Sequence, residues 1–185
     1  MFALPALLVA LVPLLAVPKS IPLTPEVAAK LQLIAFQAAR EGDIATLKEY
    51  FAAGQPVNGT NARGDTLLTV AAYAGEADAA ALILKQPTVE VDARNKMGLT
   101  ALAAAAFKGH VGIAEMLVGA KADVNAANGT KQTALMFAAL SGRTKMVAYL
   151  LKAGADASIA DKSGNTALSL AKTQGADDVV KLLSK

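Results

Sequence analysis

The chain contains no cysteine and no tryptophan, and only one histidine. Without cysteine there is no disulfide, no thiolate nucleophile and no cysteine metal cage, although the redox compartment is left open. Aromatic residues make up only 4% of the chain, so Ala, Leu, Val, Ile and Met must fill any core, which suits close-packed helices better than a broad globular interior. Charge is sparse too: charged residues are 18%, the formal net charge is +3, and Lys and Arg fall singly instead of in the basic stripe that nucleic-acid binding needs. What is plentiful is apolar side chain, 54% of 185 residues, well above the content of a disordered polymer and enough for one folded domain.

The same shortages bear on catalysis. His110 has no second histidine to share a metal with, no His-Glu-x-x-His or Cys-x-x-Cys pattern occurs, and no Gly-Lys-Ser/Thr completes a phosphate loop. No catalytic, cofactor-binding or metal-ligating residue is therefore assigned. Asp92, Asp123 and Asp156 recur at intervals and read as turn-capping carboxylates. Asn58-Gly59-Thr60 and Asn128-Gly129-Thr130 are glycosylation sequons on expected finger loops, but the Ala-rich, Cys-free composition points to a bacterial chain that would not use them.

Residues 1–20 form an apolar leader whose uncharged run covers Phe2 to Val17, with prolines at 5 and 13. A spanning helix needs about 20 apolar residues, so a secretory signal is the favoured reading and an uncleaved membrane anchor the alternative. Residues 21–23 are a linker. Thr24, Pro25 and Glu26 then carry the cap, first-position proline and acidic first turn of a helix expected to reach about Arg40 and end at Gly42.

From there the chain repeats itself. Thr66, Thr100, Thr133 and Thr166 are separated by 33 or 34 residues, and each is followed nine residues later by Gly75, Gly109, Gly142 or Gly175. Gly42 marks an earlier copy in which Leu33 takes the Thr place. Gly98 to Asn125 is the most complete unit. The Thr hydroxyl suits a helix cap, paired alanines after it allow close helix approach, and no single unit can bury its own face.

These residues resemble the ankyrin repeat. The resemblance rests on Gly64-Asp65-Thr66-Leu67-Leu68, Gly98-Leu99-Thr100-Ala101-Leu102, Thr133-Ala134-Leu135, Gly164-Asn165-Thr166-Ala167-Leu168, Gly109-His110 and Gly154-Ala155-Asp156, and it covers residues 24–185. It implies an all-α solenoid of helix-turn-helix units with β-turn fingers, divided as 24–60, 61–93, 94–126, 127–159 and 160–185, with the outer two as caps. The family's Pro after Thr is replaced by Leu67, Ala101, Ala134 or Ala167, and its His by Thr69, Ala103, Met136 or Ser169. Those departures predict that hydrogen bonding between repeats is lost and that stacking rests on apolar contact. His110 is expected to be a hydrogen-bonding turn residue. Gln86-Pro87-Thr88 replaces a helix-ending Gly, while Lys121 and Lys131 stand where other copies carry Gly, either as tolerated drift with local strain or as a basic contact point.

The resemblance also implies a concave groove, with neighbouring helices roughly 8 to 10 Å apart. Arg40, Tyr73, Phe107 and Leu140, each two residues before a turn glycine, would line it, unless the rings fold down as extra core. Arg63, Arg94, Lys96, Lys131 and Lys162 would add finger-tip charge, either neutralised by Asp65, Asp92 and Asp161 or aimed at an acidic patch. The expected function is non-catalytic binding of another protein, without cofactor, metal or nucleic acid, by an exported, monomeric chain that meets a membrane only through residues 1–20 if they are retained. The rival is a membrane-anchored accessory subunit stabilising an envelope complex or enzyme.

Overall fold

A computed structural model describes residues 24–184; the leader and linker lie outside the described residues. Ten helices follow in pairs: α1 (Pro25–Glu41) and α2 (Ile44–Ala52), α3 (Leu67–Ala74) and α4 (Ala77–Leu84), α5 (Ala101–Lys108) and α6 (Val111–Gly119), α7 (Ala134–Leu140) and α8 (Thr144–Lys152), α9 (Ala167–Thr173) and α10 (Asp177–Leu183). The described residues contain no extended strand, only isolated bridges such as Thr60 with Thr66 and Ala127 with Thr133 at the roots of fingers.

Each first helix starts because a threonine hydroxyl accepts the backbone N–H three residues on: Thr24 from Val27, Thr66 from Thr69, Thr100 from Ala103, Thr133 from Met136 and Thr166 from Ser169. Such a cap contributes about 1 kcal/mol. α1 stops at Gly42 as expected, in the left-handed conformation that glycine tolerates. Leu33 sits inside it, 70% exposed, so the first copy continues as helix where later copies form a finger.

The first helices stack as one layer, α1 on α3, α3 on α5, α5 on α7 and α7 on α9, and each second helix backs onto its own partner. The stacking works because Ala38–Ala39, Ala71–Ala72, Ala105–Ala106 and Ala138–Ala139 are all buried, which lets backbones approach closely. In α9 the place of the second alanine is taken by Lys172, which is exposed. The second helices supply bulk: Leu47, Ile83, Leu117 and Leu150 are fully buried, each worth about 1.5–3 kcal/mol against exposure.

The expected loss of hydrogen bonding between repeats is corrected, because those bonds are made elsewhere. Asn58 accepts from the Glu90 N–H at 3.0 Å, Asp92 from the Asp123 N–H at 3.0 Å, and Asn125 from the Asp156 N–H at 2.8 Å. Asn58 also donates to the Thr88 carbonyl at 2.7 Å. It lies in the loop after α2, outside the finger, so that sequon is misplaced by the sequence reading and its side chain is already engaged. Asp92 keeps the expected structural role but occupies the place of Asn58 and Asn125, two residues beyond that of Asp123 and Asp156.

The four fingers share one design. Asn61, Asn95, Asn128 and Asp161 each use one side-chain oxygen to accept the N–H groups two and four residues on, at 2.8 to 3.0 Å. The fourth residue of each finger has positive φ: Gly64 at 78°, Gly98 at 77°, Lys131 at 64° and Gly164 at 81°. Lys121 has φ 70° where Gly154 has 94°. Both lysines therefore occupy a glycine conformation. After α4, where Gln86-Pro87-Thr88 replaces the glycine, the chain leaves through Lys85 at φ −78°, ψ −9°, with no left-handed residue.

Candidate functional site

α3 and α5 end with Tyr73 and Phe107 on the concave side, 51% and 40% exposed in a chain with few rings. They stack nearly parallel, 11° apart with centroids 6.5 Å apart, so a pair 34 residues apart in sequence forms one continuous apolar surface. Lys108 places its ammonium 5.1 Å from the centre of the Tyr73 ring. Aromatic pairs contribute about 0.5–1.5 kcal/mol, and an exposed cation over a ring about 0.5–1 kcal/mol. These contacts hold the rings in place without covering them.

The rings form one wall of a cleft of about 700 Å³. Arg40 of α1 and Phe137 of α7 line it from the flanking repeats, and Arg63 and Met97 line it from two fingers. Met97 is 67% exposed. Val70 and Ala104, one helical turn before the rings, line the cleft beside Phe137, which holds the equivalent place in its own repeat. Asp65 is the acidic member of the lining. It is 6% exposed and receives the Asn95 amide at 2.8 Å, the Asn61 amide at 3.1 Å and Arg63 Nε at 2.9 Å. Burial pushes its pKa up, but these donors and the guanidinium charge outweigh burial and hold the carboxyl below the ordinary aspartate value.

Arg40, Tyr73, Phe107 and Arg63 are thus brought together, and the remaining expected residues are not. Leu140 ends α7, is half-buried and lies outside the cleft lining. α7 is one residue shorter than α5, and Ser141 caps it with φ −95° in place of a left-handed glycine. Among the finger-tip cations, register decides. Arg63 and Met97 stand two residues after Asn61 and Asn95 and face the cleft. Lys96 and Lys162 stand one residue after the finger asparagine or aspartate, and neither these nor Lys131 lines the cleft. Arg94 precedes Asn95, and its guanidinium donates to the Ala127 carbonyl of the next finger. Neutralisation holds for Arg63 through Asp65. Lys96, Lys131 and Lys162 form no ion pair among the described residues, and Asp161 spends its acceptors on its own finger.

Met97, Lys108 and Phe137 escaped the sequence reading. Met97 had a readable signal, since it repeats the finger position of Arg63. Phe137 had a weaker one, four residues after its cap threonine.

His110 requires a correction. It precedes α6 but caps nothing with its side chain, and its buried Nε2 has no hydrogen-bond partner among the described residues. The ring instead lies over Gly75, where an added Cβ would come within 2.7 Å of it. Glu76 covers Gly42 in the same way, and Arg143 covers Gly109 while donating to the Phe107 carbonyl at 3.2 Å. The residues after Gly75, Gly109 and Gly142 thus each shield the preceding turn glycine.

No group of three or more His, Asp or Glu side chains among the described residues is placed to hold a metal. No described helix is long and apolar enough to cross a membrane.

Helix pairs stacked in register, polar fingers on one edge and a concave ring-lined cleft define a solenoid repeat scaffold. The family description "Ankyrin repeats (3 copies)" matches residues 35–128 and 119–185, and the chain belongs to the ankyrin repeat family. Ankyrin repeats are generally scaffolds for protein interaction and are typically non-catalytic. No curated protein matches the chain closely enough to count as a relative.

Proposed function

We propose that this chain is an exported, monomeric, non-catalytic scaffold that binds one partner protein through the cleft between α3, α5 and their fingers. The observation that carries the reading is the exposed Tyr73–Phe107 stack, whose ring centroids lie 6.5 Å apart. Ring anchors of this kind are the usual energetic centres of protein interfaces. Because the rings stand on short capped helices packed on both sides, docking requires little reordering.

The test is capture of a partner from extract of the native host by the immobilised chain, compared with a Tyr73→Ala, Phe107→Ala variant of equal helicity. Loss of the captured protein is expected. Equal capture by the variant counts against the cleft.

Export rests on the apolar run from Phe2 to Val17. The same run supports a second reading, a membrane-anchored accessory that stabilises an envelope complex or enzyme. Fractionation followed by N-terminal sequencing separates them: a soluble species starting near Ile21 supports export, and a membrane-bound species starting at Met1 supports the anchor.

A further inference from the structure

We propose that the cleft receives an extended acidic segment of the partner carrying an aromatic or long aliphatic side chain among its carboxylates. This rests on the cleft reading above and gives its occupant a chemistry.

The charge inside the cleft is unbalanced. Arg40, Arg63 and Lys108 line it, against the carboxylate of Asp65. That carboxylate is already engaged by Arg63, Asn61 and Asn95. Arg40 and Lys108 form no ion pair among the described residues. Covering them with a neutral segment would desolvate two cations with no carboxylate to compensate, and a basic segment would add repulsion. Carboxylates on the incoming chain remove both costs.

Charge alone leaves the rings unused. Tyr73, Phe107 and Met97 give the cleft an apolar lining, and the flexible thioether of Met97 adapts to an incoming side chain. A volume of about 700 Å³ takes a few side chains, not a folded domain. An extended strand sets same-facing side chains about 7 Å apart, which lets one meet the apolar lining while its neighbours reach toward Arg40 and Lys108.

Random peptides displayed on phage are panned on the full chain, with counter-selection on the Tyr73→Ala, Phe107→Ala variant. Synthetic copies of the enriched peptides are then titrated against wild type and an Arg40→Glu, Lys108→Glu variant, with melting curves confirming that both variants fold. The expected peptides are net negative with an aromatic or leucine anchor, and the charge reversal weakens them by about tenfold or more. Enriched peptides that are neutral or basic, or that ignore the charge reversal, overturn the acidic assignment while leaving the cleft standing as a binding site. Absence of any cleft-dependent peptide, or sedimentation showing a dimer that Tyr73→Ala abolishes, overturns the acidic assignment and the cleft reading together.

Discussion

The Asp65 carboxylate accepts the side-chain amide of Asn95 at 2.8 Å, joining one finger to the next across 30 residues of chain. Asp65→Ala removes this bond together with those to Asn61 and Arg63, leaving donors with lost partners. It is expected to lower stability by about 1.5–3 kcal/mol at neutral pH, read by urea unfolding. Because the folded carboxyl titrates below its unfolded value, its stabilisation is complete above the ordinary aspartate range and is lost as the pH falls through the lowered value. The gap between wild type and variant should therefore narrow in acid. A gap independent of pH would refute the charge-assisted role.

Lys121 and Lys131 hold φ of 70° and 64°. A left-handed non-glycine residue costs about 1–2 kcal/mol, while glycine adds about 0.4–1 kcal/mol of unfolded-state entropy. The first effect wins. Lys121→Gly and Lys131→Gly should each raise the melting temperature, with a net gain of up to about 1.5 kcal/mol. A fall in either melting temperature would mean that the lysine side chain contributes contacts greater than its backbone strain.

Gly75 and Gly154 have nearly equal φ, 93° and 94°, but different surroundings. A Cβ at Gly154 meets nothing within 4 Å, whereas one at Gly75 strikes the His110 ring. Gly154→Ala should cost only the backbone strain of about 1–2 kcal/mol, less about 0.4–1 kcal/mol of unfolded-state entropy. Gly75→Ala should cost a further 1–3 kcal/mol or so for overpacking. In a double-mutant cycle His110→Ala should recover that excess. Equal costs at the two glycines would remove the shielding role given to His110.

Ala105 and Ala138 are fully buried on adjacent first helices that pack together, so added methyl groups there overpack the first-helix layer. Ala105→Val is expected to destabilise by about 1–3 kcal/mol through overpacking. Leu117→Ala on the second-helix layer should cost about 2–5 kcal/mol through a cavity. Chemical denaturation of both variants checks the pair; a neutral Ala105→Val would show that the first-helix layer is not close-packed.

The period was readable because one residue type answers one backbone need at each turn of the pattern: Thr for the cap, Gly for the left-handed turn, Ala for close approach. Those needs are local, so the sequence alone locates α1 at Gly42 and flags Lys121 and Lys131. The cleft depends on which way side chains point, and that was only half legible. Tyr73 and Phe107 share a register and meet. Leu140 shares it too, but it ends a shorter helix and lies outside the lining, where Phe137 from one turn earlier takes part. The bonds between repeats were missed for a related reason. Asn58, Asp92 and Asn125 do repeat, but their partners are backbone N–H groups about 31 residues away, which leave no mark in side-chain identity.

The side chains that shield the turn glycines all come from the following repeat: Glu76 over Gly42, His110 over Gly75, Arg143 over Gly109. Ala176 stands in the next such place, and a Cβ at Gly142 would meet nothing within 4 Å. The first three turns are thus shingled by their successors and the fourth is bare, which gives the stack a direction of wear. Opening should begin at the α9–α10 end and unzip toward α1, each departing repeat exposing the turn before it. Hydrogen exchange should follow that order, with the amides of Gly75 and Gly109 outlasting that of Gly142.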